Sequence, residues 1–256
     1  MKTQIETYSD TNHPHPLLML TLPTQSSFII RSIRPLSPED QKAFASLCVH
    51  PVLSRLYASG RPPEPEEKLA DGSIAPADEK TRKTFQSWLT ETTAAAINRV
   101  KTAFLTRWST VSDEYYGHGS YLVSQQEASE TTIGWINNGA PSTNEIEEIK
   151  QTLSIEEKSN YALTPDRTDK WTECAMLIAP DSGAETAALQ SLVDRLRDPE
   201  VPGQSFTHAY YSARRSNVAV TTALTTVGFS EVMSQQKHNP GTVEPKYDHV
   251  RFILKL

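Results

Sequence analysis

The sequence predicts a mixed α/β fold, and three observations predict it. The apolar run of residues 174–179 stops at Pro180, turns through Asp181, Ser182 and Gly183, and then changes to a helical spacing of Ala187, Ala188, Leu189, Leu192 and Leu196. Residues 120–124 and 131–136 are rich in β-formers and flank a short polar turn, which is a hairpin signature. Strand and helix signals alternate along the chain as β α α β β (α) β α β α β β, a mixed pattern rather than separate runs of one type.

The 256 residues suit one domain with embellishments. Residues 1–27 are expected as an N-terminal arm and 28–256 as a single domain, with insertions around 60–110 and 142–158. The formal charge of −6 and the absence of a basic stripe argue against a nucleic-acid or anionic-membrane surface. No apolar run approaches the ~20 residues of a spanning helix. Residues 17–20 are too short for a signal-peptide core. Cys48 and Cys174 are the only cysteines, which fits a reducing, cytoplasmic setting better than a disulfide scaffold.

In chain order, residues 1–26 are polar and hold His13-Pro14-His15-Pro16. Two histidines so spaced can bind a metal, but no Cys or carboxylate cluster accompanies them. A flexible or loosely docked arm is expected, with no metal. Residues 28–33 form the first strand. Ser37-Pro38-Glu39-Asp40 starts a helix, with an N-cap, Pro at the first helical position and acids in the first turn. A second helical stripe follows Pro51. Residues 60–79, rich in Pro, Gly and acids, read as a surface loop. A long amphipathic helix then runs over 79–108, with Phe85, Trp88, Leu89, Ala96, Val100, Phe104 and Trp108 on one side. That stripe reads as core rather than as a binding surface.

Just before the hairpin lie Tyr115, Tyr116 and His118, which with Trp135 can line a substrate pocket. Polar residues at a strand entrance are the other reading. Residues 142–158 form an acidic helix with a narrow stripe at Ile146, Ile149 and Leu153. After the strand and helix of 171–197, residues 205–212 are a strand and 217–227 a helix, with Gly228 free to take positive φ at its end. Residues 229–233 and 249–254 close the chain as an antiparallel pair.

The stretch 171–195 is the chemical centre. Strand, short polar turn and helix is a layout that aims free backbone N–H groups, and about half a positive charge, at an anion. A plain βα unit without a ligand has the same layout.

This order, with three local matches, resembles the GCN5-related N-acetyltransferase (GNAT) superfamily. The matches are Ile29-Ile30-Arg31-Ser32-Ile33-Arg34-Pro35 with Pro38-Glu39-Asp40; the hairpin ending Ile133-Gly134-Trp135-Ile136, with the strand and turn at 174–188; and Asn217 through Val227 to Gly228-Phe229-Ser230-Glu231. The resemblance implies an α+β fold with a mostly antiparallel central sheet flanked by helices, and helical insertions. It also implies acetyl-CoA as the donor and a small-molecule amine or hydroxyl as the acceptor, attacking the thioester directly. In this family the turn motif Gln/Arg-x-x-Gly-x-Gly/Ala holds the CoA pyrophosphate. Here the matching positions are Pro180, Gly183 and Glu185, so the turn is degenerate. A Glu185 carboxylate at ~4 Å, with an effective dielectric of about 20, would repel a unit charge by roughly 4 kcal/mol. That is about a thousandfold in affinity, unless the side chain turns away.

By the same resemblance, Leu177, Ile178, Ser182, Gly183, Ala184, Thr186 and Asn217 are the expected cofactor contacts; Asn217 is also a natural helix N-cap. Many members place a proton-donating Tyr where this chain has Leu224. Tyr210 and Tyr211 are on a neighbouring strand and can replace it, Tyr211 being the candidate catalytic residue; packing in the core or on the sheet face is the plainer role of each. Glu173, at the start of the organising strand, is the candidate general base, and burial beside Trp171 would raise its pKa usefully. An exposed strand-end Glu is the plain reading. His208 is the alternative base, and Cys174 a nucleophile lacking a visible base partner. The competing function is a protein of this fold that has lost CoA-dependent transfer and catalyses other chemistry on a small molecule, or only binds one.

Overall fold

A computed structural model of the chain describes residues 3–8, 17–24, 27–57, 60–69, 71–109, 119–126, 131–139, 143–154, 171–180, 182–199, 206–238 and 246–256. The elements are β1 (Gln4–Tyr8), β2 (Leu17–Leu22), β3 (Phe28–Ser32), α1 (Pro38–Val49), α2 (Pro51–Tyr57), α3 (Glu79–Ser109), β4 (Gly119–Gln125) and β5 (Thr131–Gly139). They continue with α4 (Thr143–Thr152), β6 (Trp171–Ile178), α5 (Glu185–Arg197), β7 (His208–Arg214), α6 (Val218–Val227), β8 (Ser230–His238) and β9 (Lys246–Lys255). All strands join one nine-stranded sheet in the order β1-β2-β3-β4-β5-β6-β7-β9-β8. Every neighbouring pair is antiparallel except β6 and β7.

The start of α1 shows how local sequence sets this frame. The Ser37 hydroxyl accepts the Asp40 N–H at 3.2 Å, and Pro38 opens the helix. The Asp40 carboxylate accepts from both Arg31 guanidinium nitrogens at 2.8 and 3.0 Å and from the Arg34 backbone N–H at 2.8 Å. Burial alone would raise its pKa, but these donors outweigh it and hold the carboxyl down at about 2. One carboxylate thus ties the end of β3 to the first turn of α1.

The sheet is covered differently on its two sides. Against one lie α5 and α6, closing a continuous core that includes Leu20, Leu22, Ile30, Val123, Ile136, Met176, Leu189, Leu192, Leu224 and Phe252. Against the other lie two separate clusters. One joins Phe44, Leu47, Leu53, Ala96 and Val100 to Leu122 and Trp135, beneath α1, α2 and α3. The second joins Ile146, Ile149 and Leu153 of α4 to Trp171, Tyr210 and Ile253. Gly134 allows β5 to lie close to β6: a Cβ there would sit 2.9 Å from the Leu177 carbonyl oxygen and 2.8 Å from Ile178 Cδ1.

Some expectations change. Within the segment read as a loose arm, β1 and β2 pair with each other, and β2 pairs with β3. Leu20 and Leu22 are buried in the larger core, and the Leu20 N–H donates to Ser32 Oγ at 2.8 Å. His13 and His15 lie outside the described residues. The loop before α3 carries a buried ion pair, Arg61 to Glu67 at 2.7 Å, and a bridge between Lys68 and Ile74. Arg61 also lies over Phe85 and Trp88, at 5.1 and 5.8 Å, so the first aromatics of α3 hold this loop while Ala96 and Val100 reach the core. The side chains of Phe104 and Trp108 lie outside the described residues. The acidic helix is seen as α4, and residues 155–158 of the expected span are likewise not described. No described helix is long and apolar enough to cross a membrane.

Candidate active site

The one parallel pairing in the sheet is short. Residues 171–174 of β6 pair with 208–211 of β7, yet β6 runs on to Ile178 and β7 to Arg214. Beyond Cys174 and Tyr211 the strands part and leave a slot. The Met176 N–H donates to Tyr211 Oη at 3.1 Å, and that hydroxyl donates to the Met176 carbonyl at 3.4 Å, so the Tyr211 phenol sits at the fork. Backbone polar groups of alternate residues in a strand point to the same edge. The Ala179 N–H bonds Ile133 on the β5 side at 2.7 Å, so the N–H and C=O groups of Met176 and Ile178 face the slot and those of Leu177 face β5. Of the two expected strand contacts, Ile178 therefore offers backbone to the slot. Leu177 instead packs its side chain toward the α1–α3 cluster.

The slot leads to the turn. The Ser182 N–H donates to the Ala179 carbonyl at 3.3 Å, Gly183 takes φ +67°, and the Ala184 N–H donates to Ser182 Oγ at 3.3 Å. The Ala188 N–H returns to the Ala184 carbonyl at 2.8 Å, so the N–H groups of Glu185, Thr186 and Ala187 lie ahead of the helical ladder and point out of the N-terminus of α5. Glu185 is buried in that first turn; Asp181 is outside the described residues. Asn217 caps α6, its side-chain oxygen accepting the Val220 N–H at 3.4 Å. Gly228 ends α6 at φ 103°. Leu224 is fully buried in the core beneath α5 and α6 and supplies no proton.

On the opposite sheet face, alternation places Trp171, Glu173, Ala175 and Leu177 side by side with His208, Tyr210 and Ser212. Tyr211 points to the other face and is reached only through the fork; on this face Glu173 lies opposite Tyr210, and His208 lies opposite Trp171. Burial raises the Glu173 carboxyl above its ordinary pKa, and the nearby Glu145 charge raises it further. A hydrogen bond from Tyr210 and the charge of Arg99 act the other way. Tyr210 Oη also donates to Glu145 Oε2 at 3.1 Å. Behind this pair, buried Arg251 holds Glu145 at 3.5 Å and Glu148 at 2.5 Å. A half-buried carboxyl that takes protons readily, a phenol beside it and a second anchored carboxylate can together accept and relay a proton.

His208 is stacked on Trp171 with ring centroids 5.0 Å apart, and its Nδ1 meets Thr207 Oγ1 at 2.9 Å. Trp135 is set edge-on to Phe44 at 5.1 Å, while Arg99 lies over it at 5.9 Å. Tyr115, Tyr116 and His118 lie outside the described residues. Cys174 is buried, the plainer of its two readings, and burial pushes its thiol up to about 12. Glu145, Asn137, Arg99 and Arg251 were not singled out from sequence. Arg251 gave a usable signal, a cation inside the apolar run Val250-Arg251-Phe252-Ile253, which requires a buried acid partner. No described group of three or more His, Cys, Asp or Glu side chains is placed to hold a metal.

The chain has the fold of the GCN5-related N-acetyltransferases. It superposes on a ribosomal L7/L12 alpha-N-protein acetyltransferase (RimL) in complex with coenzyme A with a TM-score of 0.52 and 10% identity, covering 92% of this chain and 98% of that one. It superposes similarly on an acetyltransferase from Salmonella typhimurium that modifies the N-terminal serine of ribosomal protein L7/L12, at TM-score 0.51 and 10% identity, over 92% and 99% of the two chains. No family model matches the chain, and no curated protein is similar to it in sequence.

Proposed function

We propose that the chain is an acetyl-CoA-dependent acyltransferase that acts on a small-molecule amine or hydroxyl. The observation that carries this reading is the slot between β6 and β7, with the proton-accepting Glu173 on the strand that forms its wall. The solved acetyltransferases of the same fold include one bound to coenzyme A. The residues present fit such a cofactor: slot-facing backbone groups of Ile178 for its arm, and the outward N–H groups of Glu185, Thr186 and Ala187 for its diphosphate, with Ser182, Gly183 and Ala184 shaping the turn and Asn217 expected from the family pattern. Glu185 weakens the hold of the turn. When bound, acetyl-CoA would supply the acetyl group as an activated thioester.

Glu173 takes the proton from the acceptor ammonium; Tyr210 hydrogen-bonds its carboxylate, and the nearby Glu145 charge favours its uptake of the proton. His208 is the alternative base. Tyr211 Oη is the proton-bearing group at the fork. Trp135 belongs to the acceptor side in this reading, for which Tyr115, Tyr116 and His118 remain candidates from the sequence. The protein works without a metal and in the cytoplasm in this reading. The test is calorimetric titration with acetyl-CoA and with CoA, followed by a thiol-release assay over a panel of amines with wild type and Glu173→Gln. Micromolar binding, and turnover lost in the variant, would support the reading.

A second reading has its own support. Leu224 cannot donate a proton, Glu185 places a carboxylate at the turn, and Tyr211 Oη already engages both Met176 backbone groups. In that reading the fold binds or transforms a small molecule without CoA. Absence of binding at millimolar CoA would select it.

A further inference from the structure

Asn137 of β5 is buried, and its side-chain oxygen has no hydrogen-bond partner. An amide oxygen left so is destabilising, and a valine or leucine would fill the same place in a sheet without that cost. Its position gives it a use. Asn137 lies opposite Ala175, and Glu173 lies opposite Gly139, so Asn137 and Glu173 are diagonal neighbours on the same sheet face. Such neighbours are about 7–8 Å apart at the backbone. Gly139 and Ala175 occupy the other two corners of this square and raise nothing larger than a methyl group between them.

Two further features bound the same square. Ser212 follows the last residue of β7 that pairs with β6, and its hydroxyl is also buried without a partner among the described residues. Arg99 lies over Trp135, one position beyond Asn137 on this face, and its charge is felt at Glu173. The two apolar clusters of this face flank the polar pair, Trp135 and Ala175 belonging to one and Trp171 with Tyr210 to the other.

We propose that this square is an acceptor subsite in which the Asn137 side-chain oxygen receives a hydrogen bond from the acceptor beside the amine that Glu173 deprotonates. The ligand it fits is a small polar amine with a second donor on the adjacent carbon, a vicinal amino alcohol or diamine. The size follows from the spacing. The two residues stand ~7–8 Å apart and each oxygen takes a donor at ~2.8–3.0 Å, so two donors that bridge them must be close neighbours in one small molecule. Adjacent carbons carry such a pair. A monoamine of equal length leaves the Asn137 oxygen unpaired and is discriminated against for that reason. The expected acceptor is thus polar. This assignment rests on the acyl-transfer reading for its chemistry, and on Asn137 alone for its specificity.

The experiment compares 1-amino-2-propanol, 1,2-diaminopropane and butylamine as acceptors for wild type, Asn137→Leu and Asn137→Asp, by thiol release from acetyl-CoA. Thermal melting checks that each variant folds. In parallel, each amine is titrated calorimetrically into the protein without CoA. Wild type is expected to favour the two bifunctional amines over butylamine by about tenfold or more in kcat/KM, the worth of one good hydrogen bond. Asn137→Leu should lose the preference through KM, with CoA affinity unchanged, and Asn137→Asp should keep it. A wild type that turns over all three equally, or a folded Asn137→Leu that keeps the preference, overturns the assignment. If no amine is turned over, the acyl-transfer reading falls and the titrations decide the subsite. Binding of 1-amino-2-propanol that is lost in Asn137→Leu sustains it; no binding, or equal binding by both proteins, overturns it.

Discussion

The two faces of the sheet are built on different rules. Beneath α5 and α6, apolar side chains from seven strands and two helices merge into one core, from Leu20 near the N-terminal edge to Phe252 near the other. Beneath α1–α4 the packing breaks into two clusters, and the gap between them collects Glu173, Asn137, Tyr210 and the Glu145–Arg251 pair. The first face gives the molecule its stability. The second gives up contact area where polar groups must meet a ligand. The contrast teaches that, in a layered protein, the place where the core is interrupted is a better pointer to chemistry than the place where it is densest.

Substitutions can break this comparison, and the largest expected effect is on rate. Glu173→Gln should lower turnover ~10²- to 10⁴-fold, the usual worth of a general base. It should not weaken the fold. A buried carboxyl with a raised pKa favours the folded state only when protonated, and that contribution is lost as pH rises through its folded value. The wild type should therefore lose stability relative to Glu173→Gln as pH is raised through that range, which chemical denaturation at several pH values would show. A variant that is inactive because it is unfolded would contradict the division of labour between the faces.

On the other face, Leu189→Ala removes a fully buried side chain and should cost about 2–5 kcal/mol in denaturant melts, leaving KM for the acceptor unchanged in the folded fraction. Next in size is Asp40→Asn, which loosens the joint between β3 and α1. The carboxyl is held near 2 against an ordinary 3.8, so at neutral pH it contributes about 2 kcal/mol. That contribution is complete above the ordinary value and disappears as pH falls through about 2, so wild type and variant should converge in acid. The smallest effect sharpens the picture of the site. The pH–rate profile should rise with an apparent pKa above the ordinary glutamate value of 4.5, and Glu145→Gln should shift that rise to lower pH, because the Glu145 charge is one of the causes of the elevation.

The fold was legible wherever pattern and punctuation agreed. Ser37 and Pro38 announced α1, Gly228 its left-handed helix end, and the apolar run before Pro180 the strand β6. β1 and β2 were not legible, because their segment is polar on average and β2 reveals its buried side only once Ser32 and Ile30 lie beside it. In the site, Glu173 could be picked from its place on the strand, and its partial burial follows from Trp171 and the α4 cluster nearby. Glu145 and Asn137 could not. Their link to Glu173 is made by a helix and a strand from elsewhere in the chain, and no local spacing encodes it.

The strand order has a consequence for how the molecule is made. From β1 to β7, each strand lies next to the one that precedes it in the chain, so the sheet can grow in the order of synthesis. β8 breaks this sequence. It leaves the ribosome before β9, yet only β9 connects it to β7. Until β9 arrives, β8 has no place to dock and β7 presents an open edge. The far edge of β7 is thus covered by a closing step that waits for β9, and a nascent chain halted after residue 238 would expose an unfinished sheet edge.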